Sequence, residues 1–218
     1  MKRLLLTLGT LMLAGCSVFG HTGVENAPYT LLKADEQQRI EVRRYDTMVL
    51  VSTSMAGDGR NSAFRKLFRY ISGDNEGATP IAMTAPVFMD NSNAMAQGTK
   101  IAMTAPVFIS NQQENAMMSF VMPKDFTLQT TPKPTDPDVV VSEITNYTVA
   151  AIQFSGTLSK RNVAKQSKLL QDWLSANGYT AAGAPIEAGY NGPLTLPMLR
   201  RNEILIELEV ASRASLAP

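Results

Sequence analysis

The octapeptide Ile-Ala-Met-Thr-Ala-Pro-Val-Phe stands twice in this chain, at Ile81–Phe88 and again at Ile101–Phe108. Side chains on two faces alternate within each copy, and a period of two residues is typical of a β-strand. A polar connection that contains glycine, residues 90–98, separates the copies, so the pattern predicts two strands joined as a hairpin. Because proline has no N–H for the ladder, Pro86 and Pro106 should lie at an edge, a bulge or a strand end. From the pattern alone, a hairpin duplicated for packing is a sufficient explanation.

The N-terminus has the pattern of a lipoprotein signal peptide. Lys2 and Arg3 give it a positive start, and the mostly apolar run from Leu4 to Leu13 is too short to span a bilayer as a mature helix. The following Leu13-Ala14-Gly15-Cys16 resembles a bacterial lipobox, in which the cysteine thiol accepts diacylglycerol before cleavage. We expect residues 1–15 to be removed and Cys16, the only cysteine, to carry lipid, palmitate included. An ordinary signal peptide with an incidental cysteine is the alternative.

The amino-acid composition and the residue after Cys16 indicate which partners to expect and where in the cell the protein lies. A cysteine-free remainder excludes a disulfide framework and a thiolate metal site. The formal net charge is +1, so the excess of lysine and arginine typical of nucleic-acid binding is missing, and no nucleic-acid partner is expected. Ser17 follows the cysteine where aspartate would retain a lipoprotein in the inner membrane. We therefore expect a protein of the bacterial cell envelope, lipid-anchored to the outer membrane and facing the periplasm.

Two amphipathic helices are predicted. The first should be capped by Asn61 or Ser62 and end at Gly73, and its apolar face is marked at helical spacing by Phe64, Leu67, Phe68 and Ile71. Its basic side chains lie off that face and are expected to be solvated: Arg65, Lys66 and Arg69. The second helix is predicted over residues 162–177. Its buried stripe is predicted to comprise Val163, Gln166, Leu170, Trp173 and Asn177, widened by Leu169 and Leu174.

The two halves of the chain match in their order of elements. Met48–Val51 and Val149–Ile152 each precede an Arg-Asn pair by the same distance, and each pair opens a predicted helix that leads to strands. This order suggests an internal β-α-β-β duplication. The remaining strands are predicted at residues 118–122, 147–155, 185–190 and 203–210. Ile204, Leu205 and Ile206 should be covered on both faces.

The predicted fold class is therefore α+β. Duplicated β-α-β-β halves, at about residues 40–123 and 145–210, would form a curved antiparallel sheet or distorted barrel with two outer helices. One domain would span residues 29–210, preceded by a lipidated tether, residues 16–28, and followed by a short tail, residues 211–218.

A family resemblance rests on several motifs in order. The paired Met-Thr-Ala-Pro-Val strands are followed by Ser119-Phe-Val-Met-Pro123, then by Leu128-Gln-Thr-Thr-Pro-Lys-Pro134, and near the end by Leu194-Thr-Leu-Pro-Met-Leu-Arg-Arg-Asn-Glu203. This series resembles the SOUL/heme-binding protein family over roughly residues 41–210. The resemblance implies the same SOUL/effector-binding-like architecture.

The resemblance also implies reversible binding of heme or a porphyrin in a shallow groove beside the first helix and the loop before the last strand. The matching positions are Arg65, Lys66, Phe68 and Arg69 in the helix, and Met198, Leu199, Arg200 and Arg201 in the loop. Apolar side chains suit the ring, and guanidinium groups suit the propionates. Equally open is that Met198 and Leu199 belong to the core while the arginines satisfy Glu203 or helix ends.

This sequence departs from family members that are thought to ligate iron through histidine, because no histidine occurs between Thr22 and Pro218. His21 lies in the predicted tether and is a weak candidate iron ligand. Thioether sulfur is available at several positions whose methionines more often fill cores: Met83, Met103, Met117 and Met122. A ligand-poor heme site is therefore expected.

Two further interpretations stay open. The same groove would suit another small amphipathic ligand, in a carrier or sensor. An enzyme is the weaker interpretation, since the single histidine leaves no Ser-His pair in the core. Two carboxylates, Glu187 and Glu203, flank Tyr190 and would be the acid/base candidates of a hydrolase or isomerase. The alternative for each carboxylate is a salt bridge to Arg200 or Arg201.

Overall fold

The computed structural model describes residues 24–57, 59–90, 116–192 and 194–209. In these residues the elements, in chain order, are β1 (Glu25–Asn26), β2 (Thr30–Asp35), β3 (Ile40–Ser54), α1 (Gly59–Ile71), β4 (Thr84–Ala85), β5 (Val87–Asp90), β6 (Met117–Val121), β7 (Val139–Phe154), α2 (Lys160–Ala176), β8 (Ile186–Gly189), a 3₁₀ turn (Pro197–Leu199) and β9 (Asn202–Glu207). Neither helix of this described part has the length and apolar character needed to cross a bilayer.

Six strands close into a barrel. The order β3-β6-β5-β8-β9-β7 returns to β3, and every pairing in this ring is antiparallel. The long strands β3 and β7 pair from Ile40↔Ile152 to Thr53↔Val139, which is the longest strand pairing of the barrel. Outside the ring, β2 extends the sheet along the first half of β3, and β1 pairs in parallel with β4.

The predicted duplication is confirmed by the topology. β3-α1-β5-β6 forms one half and β7-α2-β8-β9 the other. In each half the last strand returns to the later part of the long strand, as Leu50↔Val121 and Ala151↔Leu205 show. The halves join through β3–β7 on one side and β5–β8 on the other, which confirms the α+β class and specifies the barrel form.

Three apolar clusters hold this arrangement together. One fills the barrel interior, one lies between the sheet and α1, and one lies between the sheet and α2. β9 shows how one strand serves two clusters, since Leu205 faces the interior while Ile204 and Ile206 lie beneath α2. All three are fully buried, so the prediction that they are covered on both faces is confirmed. Each such side chain contributes about 1.5–3 kcal/mol of burial free energy.

The repeated octapeptide forms less strand than predicted. In the first copy, residues 81–83 are not in a strand, and Pro86 separates the short β4 from β5. The predicted position of this proline at a strand end is confirmed. β6 and β8 occupy the two edges of β5. The second copy, Ile101–Phe108, lies outside the described residues, so its strand stays a prediction.

Several predicted boundaries are wrong. α1 begins at Gly59, whose φ of +74° suits glycine, and not at a cap from Asn61 or Ser62. The stop at Gly73, with φ of +114°, is confirmed. α2 begins earlier than predicted because the Ser159 side chain accepts a hydrogen bond from the Asn162 N–H. Its buried face is carried by Leu170, Trp173 and Leu174, whereas the predicted stripe members Leu169 and Asn177 are exposed.

One strand is longer than predicted, and another lies where none was predicted. β7 starts at Val139, well before the predicted residue 147, because it pairs with the full length of β3. At the other end of the domain, Glu25–Asn26 pair with β4 and Ala27 is buried in the barrel interior. The chain therefore contacts the barrel already within the stretch that the sequence suggested as tether.

Candidate ligand-binding surface and buried arginine–glutamate cluster

The 194–201 loop, between β8 and β9, exposes a cluster of large apolar side chains. The exposed fraction is 81% for Leu194, 71% for Met198 and 42% for each of Leu196 and Leu199. The Gly156 N–H donates to the Pro197 carbonyl at 2.8 Å, and Arg200 Nε donates to the Thr195 carbonyl at 2.8 Å. The loop is thus held in place by backbone contacts while its apolar side chains face water, a feature that marks interaction sites.

The two arginines that end this loop differ in their partners. Arg201 donates from Nε and Nη2 to Glu203 Oε1, at 3.0 and 2.6 Å, and its guanidinium lies 4.1 Å from the centre of the Tyr190 ring. Arg200 is half-buried and contacts its own loop through Thr195. The predicted alternative of a salt bridge to Glu203 is therefore confirmed for Arg201. Met198 and Leu199, by contrast, are not core residues.

The α1 residues of the predicted site form a second surface. Phe68 is half exposed and stacks on Phe64, with ring centres 6.1 Å apart. Lys66 Nζ lies 2.5 Å from Asp138, and Arg69 lies within 4 Å of carboxylates of both Asp74 and Asp136. The prediction of a solvated basic face holds for Arg69, whose side chain is 60% exposed despite these contacts, whereas Lys66 is partly buried by its pair with Asp138. Arg65 is exposed and has no ion pair among the described residues.

The structure brings the predicted residues together as two groups. Side-chain contacts of the α1 group include residues 74, 136 and 138, and those of the loop group include residues 190, 195 and 203. Each group combines apolar and cationic side chains. Joint binding of one ligand by both groups stays a prediction.

A buried ionic cluster lies inside the barrel. Arg43, on β3, is fully buried, and its Nη2 contacts Glu203 Oε2 directly. Tyr190 donates its hydroxyl proton to the same carboxylate oxygen at 2.7 Å. The Arg43 guanidinium also lies 4.6 Å from the centre of the Tyr29 ring and 5.6 Å from that of Tyr45, within cation–π range. Two guanidinium groups, from Arg43 and Arg201, therefore share one carboxylate.

The opposite charges of this cluster stabilise each other's ionised forms. Burial alone would raise the pKa of Glu203, but Arg43 and Arg201 outweigh it and hold that pKa below its ordinary value. Burial would likewise lower the pKa of Arg43, and Glu203 outweighs it in the opposite direction. Burial raises the pKa of Tyr190 well above its ordinary value. At neutral pH the cluster thus holds charged guanidinium groups, a carboxylate and a neutral phenol.

Sequence reasoning missed Arg43. The signal available was its position on the same strand face as Tyr45, two residues away, which joins the interior cluster. That alternation alone does not say which face turns inward. Its partner Glu203 is 160 residues away in sequence, so only the closed barrel brings the two together.

The proposed acid/base trio is not assembled. Glu203 and Tyr190 meet in the barrel interior, whereas Glu187, on β8 between the inward-facing Ile186 and Ala188, points to the outer face. There Glu187 is bound by Arg60 of α1 at 2.7 Å. The prediction of a Glu187–Glu203 pair around Tyr190 is therefore wrong. The salt-bridge alternative is right in kind, although Arg60 takes the place of the expected Arg200 or Arg201.

Among the described residues, the methionines considered as iron ligands are buried or half-buried. Met122 is buried, and the half-buried Met83 packs against the core beneath α1. Met117 is half-buried on β6. His21 and Met103 lie outside the described residues. Within the part of the chain that the structure describes, no three His, Cys, Asp or Glu side chains are grouped to hold a metal ion.

Two cavities open near the turn between β2 and β3. One, of about 260 Å³, is lined by residues that include Arg39, Glu41 and Glu203. The other, of about 480 Å³, lies between this turn and α2 and is lined by Gln38, Gln166 and Leu169 among others. Neither is lined by the predicted binding residues of α1 or of the 194–201 loop.

Comparison with known proteins agrees with this fold. Solved structures with similar folds include an EcmrR–DNA complex (TM-score 0.51, 13% identity, 78% of this chain and 56% of that chain). They also include an uncharacterized conserved protein from Listeria innocua (TM-score 0.53, 9% identity, 78% and 92%). At these identities the likeness shows the fold alone, and this chain spans little more than half of the EcmrR chain.

Comparison of sequences identifies the family of the chain, which the likeness in fold does not. "Heme-binding protein 1" of Xenopus tropicalis is 24% identical over 194 residues, covering 86% of this chain and 93% of that protein. The family model for the SOUL heme-binding protein matches residues 24–96 and 88–207, which together span the whole barrel. The chain belongs to the SOUL heme-binding protein family.

Proposed function

We propose that this protein is a lipid-anchored component of the bacterial cell envelope that binds heme or another tetrapyrrole reversibly and does not transform it. Family membership supports the ligand class. The observation that carries the proposal is the 194–201 loop, which holds Leu194 and Met198 in water next to two arginines. An amphipathic ring with carboxylate side chains matches that combination of apolar surface and positive charge.

The loop provides the ring contacts and the charge. Met198 and Leu199 give apolar area for one face of the macrocycle, and a guanidinium group offers five N–H donors to a propionate. Arg200 uses its Nε for the loop carbonyl, and Arg201 is already shared between Glu203 and the Tyr190 ring. Arg200 directly follows the exposed Met198 and Leu199, so it is our first choice for the propionate contact, with Arg201 holding the loop in position.

The residues present fit the ring better than the iron. A bound heme would supply redox chemistry at its iron. No histidine lies between Thr22 and Pro218, and Met122 is buried while Met83 packs in a core. We therefore expect iron-free protoporphyrin to bind about as well as hemin. The same lack of histidine favours, as a second candidate, a different amphipathic anion on the same surface.

The anchor is supported by the sequence of the lipobox. Cys16 is the only cysteine and follows Leu13-Ala14-Gly15. Expression of the full chain in a Gram-negative host with a clickable palmitate analogue tests this part of the proposal. We expect label in the wild-type protein, recovered with the outer membrane, and none in Cys16→Ser. Equal labelling of both chains, or none in either, would contradict it.

Titration with hemin and with protoporphyrin IX tests ligand binding. The chain from Ser17 onward keeps all described residues, and Trp173, the only tryptophan, reports binding by quenching alongside the Soret band. Met198→Ser/Arg200→Ala should weaken a saturable one-to-one interaction by about tenfold or more, as expected for loss of a charged contact and apolar area. Arg161→Ala/Gln166→Ser on α2 is the matched control and should not change it.

Two results would overturn the ligand assignment. One is the absence of saturable binding by the wild-type chain. The other is equal weakening by the loop variant and the α2 control. His21→Ala should leave the hemin affinity unchanged, and a large loss in that variant would contradict the expectation that the ring dominates binding.

A further inference from the structure

The N-terminal end of the described chain lies beside the 194–201 loop. Val87 is the partner of Gly189, the last residue of β8, from which the chain continues towards the loop. Two residues before Val87, the Ala85 carbonyl accepts a hydrogen bond from the Ala27 N–H at 2.8 Å. The antiparallel direction of β5 and β8 therefore places β4, and β1 paired with it, at the end of β8 that leads to the loop.

A second set of contacts gives the same placement. The Tyr29 ring lies against the guanidinium of Arg43, and Arg43 Nη2 lies 3.5 Å from the Tyr190 hydroxyl. Tyr190 directly follows β8 and packs under the Arg201 guanidinium of the loop. Both routes therefore bring the residues before β2 to the end of the barrel that carries the exposed loop.

The chain between the proposed anchor and this end is short. Seven residues, 17–23, separate Cys16 from Val24. Seven fully extended residues span at most about 25 Å. An anchored Cys16 would therefore keep this end of the barrel close to the bilayer, whereas the reach does not fix which side chains touch it.

The chemistry of the loop matches a bilayer surface. From Tyr190 to Asn202 the sequence contains two arginines and no acidic residue. Leu194 and Met198 are the most exposed large apolar side chains of the described part of the chain. Interfacial segments of this composition bury apolar side chains at the boundary between headgroups and acyl chains, and their cations are attracted by anionic lipid.

We propose that the 194–201 loop docks into the surface of the same bilayer that holds the lipid anchor, with Leu194 and Met198 below the headgroups. The proposal rests on the anchored location in the proposed function, but not on tetrapyrrole binding. It orients the barrel with β1 and the loop towards the membrane.

Hydroxyl-radical footprinting of a tethered chain tests the proposal. The chain from Cys16 onward is coupled through its only thiol to a maleimide lipid in saturated phosphatidylcholine–phosphatidylglycerol vesicles. The reference is the same chain, blocked with N-ethylmaleimide, among the same vesicles. Leu169, exposed on α2, is the internal control for general shielding.

On tethering, we expect oxidation of Met198 and Leu194 relative to Leu169 to fall by at least about fivefold, as for side chains moved into the interface. An unchanged ratio would overturn the proposal. Leu194→Ser/Leu196→Ser should abolish the protection of Met198, and Leu128→Ser, at an exposed leucine after β6, should preserve it. Protection that persists in the loop variant would show that the tether alone shields this end, which also overturns the proposal.

These outcomes are separate from those of the proposed function. The tether is made chemically, so the result does not depend on whether cells lipidate Cys16. No hemin is present, so a failure of docking leaves the tetrapyrrole titration standing.

Discussion

The barrel interior and the 194–201 loop both contain arginine, but the arginine side chains of the two regions differ in their burial and in their contacts. Arg43 is fully buried between two tyrosine rings and a carboxylate. Arg200 is only half-buried and stands beside exposed leucine and methionine side chains. Arg201 joins the two regions, because it follows Arg200 in the chain and bonds to Glu203 of the buried cluster.

This difference separates structural charge from surface available to a ligand. Strongly perturbed pKa values often mark functional sites, and here they occur in the buried cluster. Each charge of that cluster, however, already has a partner within the chain. We interpret the Arg43–Glu203 cluster as an internal support for the loop, on whose outer surface we propose the ligand and membrane contacts.

The largest expected effect comes from breaking the buried pair. Glu203→Gln leaves Arg43 without a buried counter-charge, so we expect the free energy of unfolding to fall by about 3–5 kcal/mol. Asp46→Asn is a matched control, because it removes the exposed Arg44–Asp46 pair and should cost at most about 1 kcal/mol. Urea unfolding of both variants measures this, and similar losses would contradict the mutual dependence of the buried charges.

A smaller loss is expected where only one partner is buried. Glu187 is buried on the outer barrel face, and its cation Arg60 is partly exposed. Arg60→Ala should reduce the free energy of unfolding by about 1–3 kcal/mol, since it leaves a buried carboxylate short of partners. Arg161→Ala, at the same point in the other half of the duplication, should change it little. A loss in Arg60→Ala as small as in Arg161→Ala would show that water replaces the guanidinium.

Acidification should weaken the buried cluster in a defined direction. The folded-state pKa of Glu203 lies below its ordinary 4.5, so the stability it contributes is present above 4.5 and is lost as the pH falls through the folded value. Glu207 has the opposite sign, because burial raises its pKa and its contribution is lost as the pH rises through that value. Glu203→Gln should therefore flatten the loss of stability that accompanies acidification below pH 4.5, whereas Glu207→Gln should remove the loss that accompanies rising pH above 4.5. Parallel pH profiles of unfolding for the two variants would contradict this assignment.

The smallest effect on stability is expected in the loop. Leu194→Ser alters a side chain that is almost fully in water, so the free energy of unfolding should change by no more than about 0.5 kcal/mol. Urea unfolding beside Leu205→Ala, which removes a buried interior leucine and should cost about 2–5 kcal/mol, provides the contrast. A loop variant as destabilised as the interior variant would mean that Leu194 packs in the folded protein.

Local patterns in the sequence predicted what local physics determines. The helical spacing of Leu67 and Ile71 and the apolar run Ile204–Ile206 specify buried faces, and both are buried as expected. The matching order of elements predicted the duplication because each half repeats one supersecondary unit. The cap at Ser159 was missed, although a serine ahead of a helical pattern is a recognised start signal.

Local patterns in the sequence did not predict the contacts that close the barrel. The inward side of β3 becomes fixed only when β7 and β6 pair with it, so the burial of Arg43 has no strictly local signal. The opposite orientations of Glu187 and Glu203 likewise depend on the register of β8 with β9. Exposure of Met198 and Leu199 was left open because apolar composition alone does not distinguish core from interaction surface.

The central claim is that the exposed loop, and not the buried arginine–glutamate cluster, forms the ligand surface. Hemin titration of Met198→Ser/Arg200→Ala beside Arg43→Met/Glu203→Met tests it most directly, with folding of each variant checked by urea unfolding. Replacing both members of a buried ion pair by apolar residues is often tolerated. We predict an affinity loss of about tenfold or more in the loop variant, and a change of at most about threefold in the interior variant. The opposite order of these losses would place the ligand in the barrel and contradict the account.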